Sequence, residues 1–288
     1  MVLYREKQAL RQHIYSRKKA GQTIGFVPTM GALHSGHLSL IEQSRKDNSI
    51  TICSIFVNPT QFNDPNDFLK YPITIETDIA QLAEAGCDIL FLPSSIEIYG
   101  ATPPLPGSEH YDLGYLETVL EGSHRPGHFQ GVCMVVRRLL EITDPNRLYL
   151  GQKDYQQCMV LTRLVELMGR KDGLSIRICP TLREEDGLAM SSRNMRLNPE
   201  SRKVAPTIFQ TLDYIRQHLA PGDLQALKNA GIIRLEAAGF RVDYLEIADA
   251  DSLQLVSGWD GSRKLVALVA AFTGEVRLID NLLLNPGR

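Results

Sequence analysis

Short apolar runs rich in β-branched residues alternate with longer stretches of helical periodicity through the first two thirds of this chain, and that alternation restricts the fold more than any other feature. Residues 23–27, 50–57, 89–92, 148–150 and 175–179 have the length and composition of buried strands. Residues 38–46, 75–85, 132–142 and 155–168 carry apolar side chains at the spacing of amphipathic helices. A helix between two strands returns the chain to the starting end of the sheet, so the strands pair in parallel and helices cover both faces. The expected fold is α/β. In such sheets ligands sit at the carboxyl ends of the strands, which directs attention to the loops that follow each run.

After residue 182 the pattern changes. Helical segments at 200–219 and 223–238 precede strand-like runs at 242–247, 264–272 and 276–279, the order of a smaller α+β unit. The expected domains are 1–181 and 182–288. Residues 101–107, with three prolines and a glycine, read as an exposed excursion.

Lys and Arg total 31 against 33 Asp and Glu, a formal charge of −2, and the basic residues are scattered among acidic ones. A protein that holds a nucleic acid backbone needs a basic excess, so nucleic acid is not an expected partner. No apolar run approaches the length of a membrane span and the first twelve residues lack a secretory apolar core, which predicts a cytoplasmic protein without membrane contact. The five cysteines are widely spaced and never form Cys-x-x-Cys, so free buried thiols are expected.

The most chemically loaded segment follows the first of the five runs. PTMGALHSGH at 28–37 places Met30, Gly31, Ala32, Leu33, His34, Ser35, Gly36 and His37 at a strand, turn and helix start. A helix N-terminus offers unpaired N–H groups and partial positive charge to a phosphate. Glycines at 31 and 36 let a ligand approach the backbone, and histidines three apart can face one phosphate as charge builds. Taken alone, such a pair is also compatible with surface or capping residues, or with metal ligation.

Other loops contribute at the same sheet edge. Gly151, Gln152, Lys153 and Asp154 follow another strand, where a lysine neutralises phosphate and an aspartate accepts from ribose hydroxyls. Met190, Ser191, Ser192 and Arg193 supply hydroxyls and a guanidinium suited to β- and γ-phosphates on a hinge-like junction. Gln61 and Gln157 are neutral and bidentate, suited to the hydroxyls or a carboxylate of a small substrate, although a glutamine is as readily just solvated. Asp78 and Gln81, one helical turn apart, could hold Mg²⁺, although an acid on an amphipathic helix is as readily a solvent-facing residue. HRPGHFQG at 124–131 is dense in special residues, and reads equally as a functional loop or as a tight turn before a helix.

PTMGALHSGH (28–37), FVNPTQF (56–62), HRPGHFQGV (124–132), GQKDYQQ (151–157) and REEDGLAMSSRN (183–194), in that order, make the chain resemble the pantothenate synthetases, or pantoate–β-alanine ligases, across nearly its whole length. The resemblance implies a Rossmann-like nucleotidyltransferase domain, a C-terminal lid and a homodimer. It implies that ATP, with Mg²⁺, is attacked at its α-phosphate by the carboxylate of (R)-pantoate, and that the amine of β-alanine then attacks the pantoyl-adenylate to give pantothenate and AMP. It puts ATP at Met30–His37, Gly151–Asp154, Leu182 and Met190–Arg193, with His37 as proton donor. It puts pantoate at Gln61 and Gln157 beside Met30, and β-alanine near Gln61. Thr77 stands where relatives often carry a second acid beside Asp78, Ile73 where an arginine is common, and Arg196 where a tyrosine usually follows the serine motif. Class I aminoacyl-tRNA synthetases and alcohol-phosphate nucleotidyltransferases share the histidine motif, but the former need a basic tRNA surface and the latter a different motif at 190–193. A non-catalytic nucleotide sensor would not need both phosphate clamps and the two glutamines together.

Overall fold

In the computed structural model, which describes residues 1–101 and 109–285, the chain separates into two compact units, Met1–Gln152 with Gln156–Pro180, and Lys153–Tyr155 with Thr181–Arg288. The excursion expected at 101–107 lies, but for its first residue, outside the described residues.

The first unit is built on six strands: β1 (Val2–Tyr4), β2 (Ile24–Thr29), β3 (Ile50–Ile55), β4 (Ile89–Phe91), β5 (Arg147–Gly151) and β6 (Ser175–Cys179). They pair in the order β1-β4-β3-β2-β5-β6, every pair parallel. Side chains alternate across the sheet, as period-two geometry requires. Ile24, Phe26, Ile50, Ile52, Ile89, Phe91, Leu148 and Leu150 enter one core with Leu10 and Ile14 of α1 (Lys7–Lys19) and with the helices His128–Thr143 and Tyr155–Leu167. Val27, Cys53, Ile55, Leu90 and Tyr149 enter the other with Leu40 and Ile41 of α2 (Ser35–Asp47) and Leu82 of the helix Ile75–Glu84. The α/β sandwich read from the alternation is therefore present, with helices on both faces.

The chain proceeds outward from β2 to β3 and β4, then returns past β2 to β5 and β6, so the strand order reverses between β2 and β5. At such a switch point the loops leave in opposite directions and open a crevice. Here the β2–β5 ladder ends at Phe26–Leu148, although β2 runs to Thr29 and β5 to Gly151. Pro28 brings no N–H to the ladder beyond that point.

In the second unit the antiparallel strands Arg241–Asp249, Leu265–Thr273 and Val276–Leu283 form one sheet with Leu265–Thr273 in the middle. Its core gathers Ile208, Leu212 and Ile215 of the helix Thr207–Gln217, Leu235 of the helix Gln225–Ala237, and Leu245, Ile247, Ala267 and Val269 of the sheet. The helix expected over 200–219 is two helices, Pro199–Val204 and Thr207–Gln217. Pro206, lacking an N–H, stands between them. Lys153–Tyr155 is tied into this unit by its own bonds: Asn281 Nδ2 donates to the Lys153 carbonyl (2.7 Å) and the Tyr155 hydroxyl to the Ala250 carbonyl (2.6 Å). Among the described residues no helix is long and apolar enough to cross a membrane.

Candidate active site

The turn after β2 is shaped by consecutive left-handed residues, Gly31 at φ 81° and Ala32 at φ 49°. A Cβ on Gly31 would lie 3.0 Å from both Asp78 Oδ2 and Ile55 Cγ2, a tight fit added to the conformational demand for glycine. Ala32 has no such freedom, and its unfavourable backbone is held from outside. Asp78 Oδ2 accepts from Ala32 N–H (3.0 Å), while Oδ1 accepts from Leu33 N–H (2.8 Å) and the Thr74 hydroxyl (3.0 Å). Thr29 completes the brace by accepting from Gly31 N–H (3.2 Å) and donating to the Ser54 carbonyl (2.8 Å).

From this turn α2 starts at Ser35, with His34 as its extended N-cap. The His34 carbonyl accepts from His37 N–H (2.8 Å) and Leu38 N–H (3.1 Å), leaving the Ser35 and Gly36 N–H groups without an acceptor among the described residues. The imidazoles of His34 and His37 lie side by side, centroids 4.0 Å apart and planes inclined by 33°, both half-buried. Two ring donors and two backbone donors at a positive helix end form an anion-binding arrangement.

Gln61 lies on the turn after β3. Its Nε2 contacts Met30 Sδ at 3.2 Å, so the loops after β2 and β3 meet. Its Oε1 accepts from Asn58 Nδ2 (3.2 Å), which fixes how the amide faces. Asn58 is itself fully committed. Its Nδ2 also donates to the Gly131 carbonyl (3.2 Å), and its Oδ1 accepts from the hydroxyls of Tyr99 (2.6 Å) and Thr60 (3.1 Å). Gln61 is thereby left presenting Nε2–H, a donor for carboxylate or hydroxyl oxygens.

Adjacent glutamines after β5 have opposite tasks. Gln156 is buried, donates to the carbonyls of Leu116 (2.7 Å) and Val119 (3.0 Å), and accepts from Glu121 N–H (3.0 Å). Gln157 makes no side-chain bond among the described residues, so its amide is available to a ligand. In the second unit Lys153 Nζ lies 3.6 Å from Asp154 Oδ1. Leu182 is exposed, and its carbonyl accepts from Met190 N–H (3.0 Å). Ser191 caps the short helix Ser192–Arg196 by accepting from Arg193 N–H (3.2 Å). The preceding hairpin is anchored by Arg183, which grips Asp280 with two nitrogens (2.6 and 3.0 Å) and lies over the Phe209 ring.

Asp78 is 1% exposed and holds the β2 turn with both oxygens, a loop anchor's set of bonds more than a cation ligand's. Gln81 Oε1 accepts no hydrogen bond among the described residues. No group of three or more His, Cys, Asp or Glu among those residues could hold a metal ion.

A model of the pantoate–β-alanine ligase family matches residues 2–283. The chain belongs to this family. It is 44% identical to a pantothenate synthetase of Cytophaga hutchinsonii over 287 residues, 99% of each chain, and 43% identical to one of Porphyromonas gingivalis over 283 residues, 98% of this chain and 99% of that one. The crystal structure of a pantothenate synthetase from Thermus thermophilus superposes with a TM-score of 0.88 at 40% identity, covering 99% of this chain and 100% of that one. A pantoate–β-alanine ligase from Francisella tularensis, solved with a β,γ-ATP compound and β-alanine, matches with a TM-score of 0.81 at 38% identity over 100% and 99% of the two chains.

Within this ligase, the motifs single out His34, His37, Gln61 and Gln157 as candidates but pass over Asn58, Tyr99 and the anchoring task of Asp78. Their signal was weak: Asn58 lies inside FVNPTQF without being singled out by type, and Tyr99 sits in a short helix with no motif of its own.

Proposed function

We propose that the chain condenses pantoate with β-alanine at the expense of ATP, with the turn after β2 as its adenylation centre. The observation that carries this reading is the arrangement at that turn: two adjacent imidazoles beside the N–H groups of Ser35 and Gly36, which have no acceptor among the described residues, with the Gln61 amide in contact with Met30 of the same turn. A pantoate carboxylate oxygen bonds to the α-phosphorus, and the bond from that phosphorus to pyrophosphate breaks. His34 and His37 stabilise the added negative charge of the five-coordinate phosphorus. The β-alanine nitrogen then bonds to the acyl carbon, the bond to AMP breaks, and the amine proton passes to solvent.

Gln61 and Gln157 bind the pantoate, Gln61 as a donor, with Met30 against it. The nucleotide positions are Met30 to His37, Gly151 to Asp154, Leu182 and Met190 to Arg193. Lys153, Ser191, Ser192 and Arg193 take phosphate charge and Asp154 the ribose hydroxyls. Mg²⁺ would be held at Gln81, whose Oε1 has no donor among the described residues, more readily than at Asp78, whose oxygens the loop retains, and it would neutralise triphosphate charge. The residues 1–181 are read as the nucleotide- and pantoate-binding domain and 182–288 as a lid. The enzyme is read as a cytoplasmic homodimer.

The test is stepwise. Pyrophosphate release should require pantoate and ATP alone, and AMP release should require β-alanine in addition. Pyrophosphate release driven by a different acid, with none from pantoate, would overturn the substrate assignment and leave adenylation standing.

A further inference from the structure

The segment HRPGHFQG has no task in the function assigned above, yet His128 within it is 7% exposed and faces a specific partner with each ring nitrogen. Gly127, left-handed at φ 79°, turns the chain so that the helix His128–Thr143 opens on this histidine. Nδ1 lies 2.8 Å from the Gln61 carbonyl oxygen and Nε2 lies 3.1 Å from Arg125 Nη1. A guanidinium can only donate, so Nε2 is the accepting nitrogen. A carbonyl can only accept, so the ring proton is on Nδ1. Both contacts demand one and the same neutral tautomer. Arg125 is held in turn, with Nη1 3.6 Å from the Glu121 carboxylate and Nε donating to Asn63 Oδ1 (3.3 Å).

We infer that His128 is a positioning residue, whose Nδ1–H, oriented through Arg125, holds the Gln61 carbonyl and thereby the amide that binds pantoate. The inference rests on the reading of Gln61 as a pantoate ligand. The Gln61 turn is gripped twice from one helix: His128 takes its backbone, and the Gly131 carbonyl fixes Asn58, which orients its side chain. A turn held by only one grip would let the Nε2–H donor swing, weakening pantoate more than the nucleotide, which shares only Met30 with the pantoate positions. His128 makes no contact with the reacting atoms in this scheme.

Two substitutions separate the two nitrogens. In His128→Asn the amide nitrogen can take the place of Nδ1 and serve the Gln61 carbonyl, whereas in His128→Gln it falls near Nε2 and leaves that carbonyl unserved. For one lost hydrogen bond, His128→Gln should raise the KM for pantoate about tenfold with the KM for ATP within about twofold, and His128→Asn should restore the pantoate KM to within about threefold of the parent. Gln61→Ala is the control for the underlying reading. If Gln61→Ala leaves the pantoate KM unchanged, the pantoate assignment and the inference both fall. If it raises that KM while His128→Gln does not, or if pantoate and ATP constants rise together, the inference alone falls. A readout on the unmodified enzyme covers the case of a variant that does not fold: with ¹⁵N-labelled histidine, the His128 ring should be neutral and protonated on Nδ1 at pH 7. An Nε2–H tautomer or an imidazolium there would overturn the inference.

Discussion

His34 and His37 bring their rings to 4.0 Å from one another, close enough for both to face one phosphate in the proposed reading. Pyrophosphate is a good leaving group and needs little protonation, so the role proposed for His37 is to stabilise charge on the phosphorus rather than to pass a proton. His37→Ala should therefore lower pantoate-dependent pyrophosphate formation by about 100-fold or more, the usual scale for removing a transition-state donor, while the shape of the pH–rate profile is largely kept. Near-normal adenylation by the variant would dismiss the histidine from either role. This site was readable because its parts are sequence neighbours: strand, glycine turn and helix start occupy residues 28–37. What holds it was not readable, since Asp78 reaches Ala32 and Leu33 across more than forty residues and looks in sequence like any acid on an amphipathic helix.

Between elements, the tightest approach at the site is that of the helix His128–Thr143 to the turn after β3. A Cβ on Gly131 would lie 2.2 Å from the Thr60 carbonyl oxygen and 2.7 Å from Gln61 N, backbone atoms that cannot step aside without moving the turn. Gly131 is helical, so its substitution by alanine would ordinarily favour the helix slightly. Here the clash decides the sign: Gly131→Ala should cost about 1–3 kcal/mol in denaturant unfolding and raise the pantoate KM more than the ATP KM. A variant as stable as the parent, with unchanged pantoate binding, would mean that the turn has slack. The same element shows where sequence reading stopped. Periodicity located a helix over 132–142, but its first turn, from His128, is written in HRPGHFQG, where glycine and proline are equally compatible with a loop. That segment makes the tight turn, and its functional reading rests on the grip on Gln61 inferred above. β1 and α1 escaped for a different reason. β1 is a three-residue edge strand, and α1 buries only Leu10 and Ile14 fully, too few apolar positions for a period to stand out.

Across the whole molecule, the response to pH follows from which ionisable groups folding shifts. The Arg138 hydrogen bond holds Glu109 below the usual 4.5, the Ser252 hydroxyl holds Asp249 below 3.8, and the Ser262 backbone N–H takes Asp260 down to about 2. A carboxylate with a depressed folded pKa contributes stability above its unfolded pKa and loses it as pH falls through the folded one, so the acid limb should begin near pH 4 and steepen below it. The thiols act with the opposite sign. All five cysteines are free and buried, and burial pushes Cys87 and Cys133 from 9.0 up to about 12. An acid whose folded pKa is raised gives stability below its unfolded pKa, here 9.0, that is lost as pH climbs toward the folded value. The melting temperature should thus form a plateau between about pH 5 and pH 9, bounded by carboxylates below and thiols above. A melting series from pH 3 to 10 checks both limbs. If the melting temperature already fell between pH 7 and 5, histidine protonation would be the dominant linkage, and His13, whose pKa burial holds below the usual 6.5, would be the first place to look for its source.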